Sequence, residues 1–122
     1  MREIIECVPN FSTSDPETVK AILEEVERVD EVYLLDYTYD NYYNRLVISF
    51  IGNRDSVLMA TLNAAKKAIK LIDMNKHKGQ HPRIGAVDVV PFIPLKNVEI
   101  EDCITLAKKF GKTLAEECGV PV

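Results

Sequence analysis

The chain is expected to form an α+β domain around an antiparallel sheet. Three observations point there: β-branched and aromatic runs of strand length, longer stretches with apolar residues at helical spacing, and Pro, Asn, Asp or Gly at the joins. At 122 residues and 47% hydrophobic content the chain can bury one substantial core, so a single domain over residues 1–122 is expected.

Ile4, Ile5, Cys7 and Val8 form an apolar run ending at Pro9-Asn10, which suits a buried first strand. The period then changes. Ser14-Asp15-Pro16-Glu17 reads as a helix start: Ser14 caps, Pro16 sits in the first turn where its missing N–H costs nothing, and Glu17 completes a capping box. Val19, Ile22, Leu23, Val26 and Val29 then supply the apolar stripe of one amphipathic helix. Val32 to Tyr39 and Leu46 to Ile51 read as two strands joined by the polar segment Asp40 to Arg45.

From Asp55 to about Met74, residues Val57, Thr61, Ala64, Ala65, Ala68, Leu71 and Ile72 recur at helical spacing, and the alanines imply close packing on the sheet. Lys66, Lys67 and Lys70 fall on other faces and read as a solvated surface. Ala86 to Phe92 is a mostly buried strand limited by Pro91 and Pro94. Ile100 to Cys118 is a last helix turning Cys103, Leu106, Ala107, Phe110 and Leu114 inward, with Gly119 just past its end and Val120-Pro121-Val122 as the start of a short strand. The order βαββαβ, then α, predicts the ferredoxin-like architecture, in which right-handed crossovers put both connecting helices on one face of the sheet.

Composition excludes several functions. The net charge of −4 sets 15 basic against 19 acidic residues, which disfavours a nucleic-acid partner. Cys7, Cys103 and Cys118 match no zinc or redox spacing and read as thiols of a reducing compartment. The first residues carry acids where a signal peptide needs an apolar run, and no apolar stretch approaches the roughly 20 residues of a membrane span. A soluble cytoplasmic protein is expected.

Candidate chemistry concentrates between Leu71 and Phe92. Both histidines lie there, four positions apart, in a loop bounded by a helix and a strand that can hold a titratable group in place. His81 is the first candidate, and His77 stands between a binding role and plain loop capping. Asp73, His77 and His81 at steps of four suggest metal ligands on one helical face, but Gly79 and Pro82 interrupt such a helix and further ligands are lacking nearby, so no metal is expected. Asp36, Asn44 and Arg45 lie near strand ends where polar groups can face a cleft, and Asp88 is expected to orient the loop by hydrogen bonds. Tyr37, Tyr39, Tyr42 and Tyr43 suit either ring stacking or an interface.

The segments Glu6 to Ser12, Leu34-Leu35-Asp36, Asn44-Arg45, Leu62 to Ala65, Leu71 to Met74, His77 to Asp88 and Pro91 to Pro94 resemble the amino-terminal subdomain of glutamate formiminotransferase over nearly the whole chain. The most specific piece is His77-Lys78-Gly79-Gln80-His81-Pro82-Arg83-Ile84-Gly85-Ala86-Val87-Asp88. The resemblance implies folate-dependent transfer of a formimino group between N-formiminoglutamate and tetrahydrofolate during histidine breakdown, with tetrahydrofolate as co-substrate and no metal. The family's catalytic acid/base falls on His81. Substrate and folate contacts fall on Asn10, Asp36, Asn44, Arg45, His77, Lys78 and Arg83, with Lys76, Lys78 and Arg83 suited to carboxylates.

The resemblance also implies that folate lies between this subdomain and a second one, which the 122 residues do not include. A complementary subdomain chain or a second copy is therefore the expected partner, covering a sheet edge or the tyrosine-rich loop. The chain departs from the family at Thr38, where a second acid is usual, at Tyr39 to Tyr43, at Ser12-Thr13-Ser14 and at Gln80, all in loops expected to face the ligand. Two classes of function follow: an enzyme domain using His81, or a catalytically incomplete folate-binding or assembly module.

Overall fold

Two prolines interrupt neighbouring strands of the sheet. Proline has no N–H to give to a ladder, yet its carbonyl still accepts, so a strand can kink at proline without leaving the sheet. The computed structural model describes residues 2–74 and 86–118. In it the first strand is divided at Val8-Pro9 into β1 (Ile4–Cys7) and β2 (Asn10–Phe11), and the expected Ala86–Phe92 strand is two, β5 (Val87–Val89) and β6 (Phe92–Lys96). The breaks lie side by side: Val8 N donates to the Pro91 carbonyl at 3.3 Å, and Ile48 N donates to the Pro9 carbonyl at 3.2 Å. Between these strands come α1 (Pro16–Glu27), β3 (Val32–Asp40), β4 (Arg45–Gly52) and α2 (Arg54–Met74), and α3 (Ile100–Cys118) follows β6.

Every described strand pair is antiparallel. β3 forms one edge and pairs with β4; β4 pairs with β1 and β2; these in turn pair with β6 and β5. The class is therefore α+β with an antiparallel sheet, as the sequence implied. Gly119 and the candidate strand at 120–122 lie outside the described residues. No described helix is long and apolar enough to cross a membrane.

Alternation on the strands creates one buried face. Ile5, Cys7, Phe11, Leu46, Ile48 and Phe50 are at most 1% exposed, and each large side chain so buried contributes about 1.5–3 kcal/mol. They meet Val19, Ile22 and Val26 of α1, Val57, Ala60, Ala64, Ala68 and Ile72 of α2, and Cys103, Leu106, Phe110 and Leu114 of α3 in one core. The alanines of α2 are fully buried and let its axis lie close to β1 and β4. Lys66 and Lys67, expected to be simply solvated, instead tie helices together: Lys67 pairs with Glu25 of α1 at 3.7 Å, and Lys66 pairs with Glu117 of α3.

The helix starts differ from expectation by one residue. Asp15, not Ser14, caps α1, its carboxylate accepting from Thr18 N at 3.0 Å and from Thr18 Oγ1 at 2.9 Å. With Asp15 as cap, Thr18 occupies the third helical position, and the charged cap also faces the positive end of the helix. Glu17 then stands one residue short of the position a capping box requires. At α2 the reciprocal arrangement does occur, because Ser56 N donates to Asn53 Oδ1 at 2.8 Å and Asn53 N donates to Ser56 Oγ at 3.0 Å. Gly52 makes that approach possible: a Cβ there would stand 2.6 Å from Ser56 Oγ and 2.8 Å from the Glu31 carbonyl. Arg54 then clamps Glu3, with Nη2 2.7 Å from Oε2, and reaches Asp102 at 3.5 Å, fastening β1 and α3 to the start of α2.

Candidate functional site

The described helices pack on one side of the sheet. Along β4, Leu46, Ile48 and Phe50 turn into the core, so Arg45, Val47, Ser49 and Ile51 turn to the opposite, outer face. On the central strands Glu6 lies opposite Ile51, and Asn10 opposite Val47, on that same face.

A bulge decides what the edge strand β3 adds. Leu34 pairs with Phe50 on the inner face, but Asp36 pairs with Ser49, so Leu35 is an extra residue and the alternation reverses after it. Asp36 and Thr38 thereby join Ser49 and Val47 on the outer face. Tyr37 and Tyr39 pair with Ile48 and Leu46 on the other side, at the sheet edge, and remain 44% and 45% exposed. Tyr42 and Tyr43, in the turn, contact each other edge to face with ring centroids 4.9 Å apart.

Of the expected site residues, Asn10, Asp36 and Arg45 lie on the outer face at successive positions along β4, with Asn44 next to Arg45 in the chain. Asn10 Nδ2 donates to the Val8 carbonyl at 3.2 Å, across the proline kink. Asp36 Oδ1 accepts from Tyr37 N at 2.8 Å. Asn44 has φ 52°, a left-handed conformation that asparagine tolerates, and this turns its amide toward the loop before α1. There Asn44 Oδ1 accepts from Ser14 Oγ at 2.9 Å, and Asn44 Nδ2 donates to the Ser12 carbonyl at 3.4 Å. Arg45 lies 3.6 Å from Asp88 Oδ2, and with Thr38, Tyr39, Asp40, Tyr43 and Val47 it lines an open groove of about 690 Å³.

Asp88 pairs with Arg45, a partner the sequence did not indicate; its expected bonds to the histidine loop fall on residues outside the described ones. β2 lies between β4 and β5, and the long guanidinium arm spans that strand. Sequence reasoning also gave no role to Glu6 and Ser49, whose side chains meet when Ser49 Oγ donates to Glu6 Oε2 at 2.7 Å. The alternation of Arg45, Val47, Ser49 and Ile51 within an apolar strand was the signal for Ser49.

His77, Lys78, His81 and Arg83, with Lys76, lie outside the described residues. The flanks of their loop are described: the chain leaves at Met74 and re-enters at Ala86, which is buried and whose carbonyl accepts from Ser12 N at 3.0 Å. The point of re-entry therefore adjoins Ser12, Asn44 and the Arg45–Asp88 pair. No group of three metal-ligating side chains occurs among the described residues. The thiols are unpaired and stand apart from this face. Burial on the inner face pushes the Cys7 thiol up to about 12, and burial also raises Cys103.

Residues 4–122 match the model of the formiminotransferase domain, N-terminal subdomain. The chain belongs to that family. It is 46% identical over 123 residues to the formimidoyltransferase-cyclodeaminase of Dictyostelium discoideum and, at the same identity and length, to that of Mus musculus, in each case across 100% of this chain and 23% of the relative. It is 42% identical over 120 residues to the glutamate formimidoyltransferase of Thermoplasma acidophilum, across 98% of this chain and 40% of that protein. The chain thus spans between about a quarter and two fifths of the length of these relatives. The resemblance drawn from the histidine loop and the strand motifs is borne out at the level of the family and of the subdomain.

Proposed function

We propose that this chain is the N-terminal part of a folate-dependent transferase that moves a formimino group between N-formiminoglutamate and tetrahydrofolate. The observation that carries this reading is the family match across residues 4–122, which takes in the whole His77–Asp88 motif. Support also comes from the outer face, which Asn10, Asp36 and Arg45 share on strands that no described helix covers.

Formimino transfer passes through a tetrahedral intermediate in which the attacking nitrogen loses a proton and the leaving nitrogen gains one. A single imidazole near its own pKa can perform both transfers, a contribution of about 10²–10⁴ in rate, and His81 is the residue assigned to it. His77, Lys78 and Arg83 are proposed to hold substrate from the loop, Arg83 as a bidentate partner for a carboxylate. Asn10, Asp36, Asn44 and Arg45 are proposed to hold it from the sheet, with Arg45 kept extended by Asp88. No metal is needed for these steps. A complementary subdomain, as the greater length of the relatives suggests, would close over the outer face and exclude water from the transfer. The strand order β3, β4, β1/β2, β6/β5 and the contact of α1 with α2 favour a ferredoxin-like assignment for the unit. Free cysteines fit a cytoplasmic setting.

The test is formimino transfer by this chain with its complementary subdomain, wild type against His81→Ala, with folding followed by circular dichroism. The substitution should cost at least about tenfold in turnover, or about 1.4 kcal/mol of transition-state stabilisation. A folded His81→Ala protein with unchanged turnover removes His81 from the mechanism. Absence of activity in either protein favours the second reading, a folate-binding or assembly module, to which Thr38 in place of the family's usual acid already points.

A further inference from the structure

Glu6 stands on the outer face, where its carboxylate has one side-chain partner among the described residues. It lies on the central strand β1, half-buried, between cross-strand neighbours Ile51 on β4 and Ile93 on β6. Its one hydrogen bond among the described residues is from Ser49 Oγ to Oε2, at 2.7 Å, and no described cation pairs with it. An anion flanked by isoleucines is costly unless donors reach it, and here Ser49 satisfies one oxygen and fixes the carboxylate's orientation. The direct cross-strand neighbours of Glu6 are apolar, and the nearest other outer-face carboxylate on β3 is Asp36, beyond Ser49.

Arg45 lies on the same strand as Ser49, four residues away, or about 13 Å at the ~3.3 Å rise of a strand. A cation and an oriented carboxylate, separated by Val47 and Thr38, thus mark the two ends of one polar track along the outer face. Folate has the complementary layout. Its glutamate tail is anionic, and at the other end its pterin ring is flat and carries an amino group and a ring N–H side by side, a donor pair that matches the two oxygens of a carboxylate.

We infer that Glu6, oriented by Ser49, receives the aminopyrimidinone edge of the pterin while Arg45 receives the anionic tail. The inference rests on the folate reading above and adds to it the direction in which the ligand lies on the sheet. Glu6 is a positioning residue for the pterin, and no proton leaves it during the transfer.

The test measures binding of tetrahydrofolate to the chain with its complementary subdomain, alongside two probes: p-aminobenzoyl-glutamate, which lacks the pterin, and a tetrahydrofolate whose 2-amino group is replaced by methyl. In the wild type the methyl analogue should bind about tenfold more weakly than tetrahydrofolate. Glu6→Gln should lose about tenfold for tetrahydrofolate, keep its affinity for p-aminobenzoyl-glutamate, and no longer distinguish the methyl analogue. Arg45→Ala should weaken tetrahydrofolate and the fragment alike. Equal wild-type affinity for tetrahydrofolate and the methyl analogue overturns the assignment without any variant having to fold. A Glu6→Gln protein that still discriminates also overturns it, as does loss of discrimination in Asp36→Asn alone, which would put the pterin edge at the neighbouring carboxylate. Failure of the wild type to bind tetrahydrofolate at all instead defeats the folate reading itself.

Discussion

The two faces of this sheet are built from adjacent residues of the same strands and do different work. Phe50 is fully buried against the helices, whereas Ser49, its neighbour, is half-exposed and bonds Glu6 across the outer face. Cys7 and Glu6 divide in the same way on β1. The inner face stores the free energy of folding because its side chains are removed from water and packed on three helices. The outer face keeps polar groups apart from that core, so their chemistry can vary while the fold remains. A strand period of two is what permits a binding surface and a core to share a backbone.

The widest contrast between the faces should be in thiol chemistry. With its thiol pushed up to about 12 by burial, Cys7 carries far less thiolate near pH 8 than an ordinary exposed cysteine. In Ser49→Cys protein, alkylation mapped by mass spectrometry should therefore label the outer-face thiol rapidly and leave Cys7 unlabelled until unfolding; equal rates would break the comparison. The same burial predicts a pH dependence. Because the folded-state value is raised, the contribution of a neutral Cys7 is fully present below pH 9 and falls as the pH rises toward 12, where the unfolded chain alone gains by ionising.

Next in size is the loss of core volume. Phe50→Ala should destabilise the protein by about 3–5 kcal/mol in urea unfolding, since a large inner-face ring leaves a cavity among fixed helices. A cost below about 1 kcal/mol would mean that the inner face repacks freely. The smallest stability effect is expected on the outer face: Arg45→Ala breaks an exposed pair with Asp88 and should change unfolding by no more than about 0.5 kcal/mol while weakening ligand binding. Should it unfold the protein instead, Arg45 would belong to the scaffold.

The sequence by itself determined the class, the helices and most of the strands. Apolar periodicity in α1, α2 and α3 and the strict alternation of β4 are local signals, and burial then follows from the hydrophobic effect whatever the neighbours are. The histidine motif together with the strand and helix segments pointed to the family, because long runs of specified residue types carry their information without coordinates. Tertiary structure alone decided which residues share a face. The bulge at Leu35 reverses the side on which Asp36 and Thr38 lie, and a single extra residue is invisible to a pattern whose partner strand is unknown. Likewise Pro9 and Pro91 read as separate strand ends until pairing set them side by side, and the Arg45–Asp88 pair became visible only once β5 came within reach of β4 across β2. Each of these depends on the register between distant segments, which is fixed by packing across the sheet rather than by any residue's own preference.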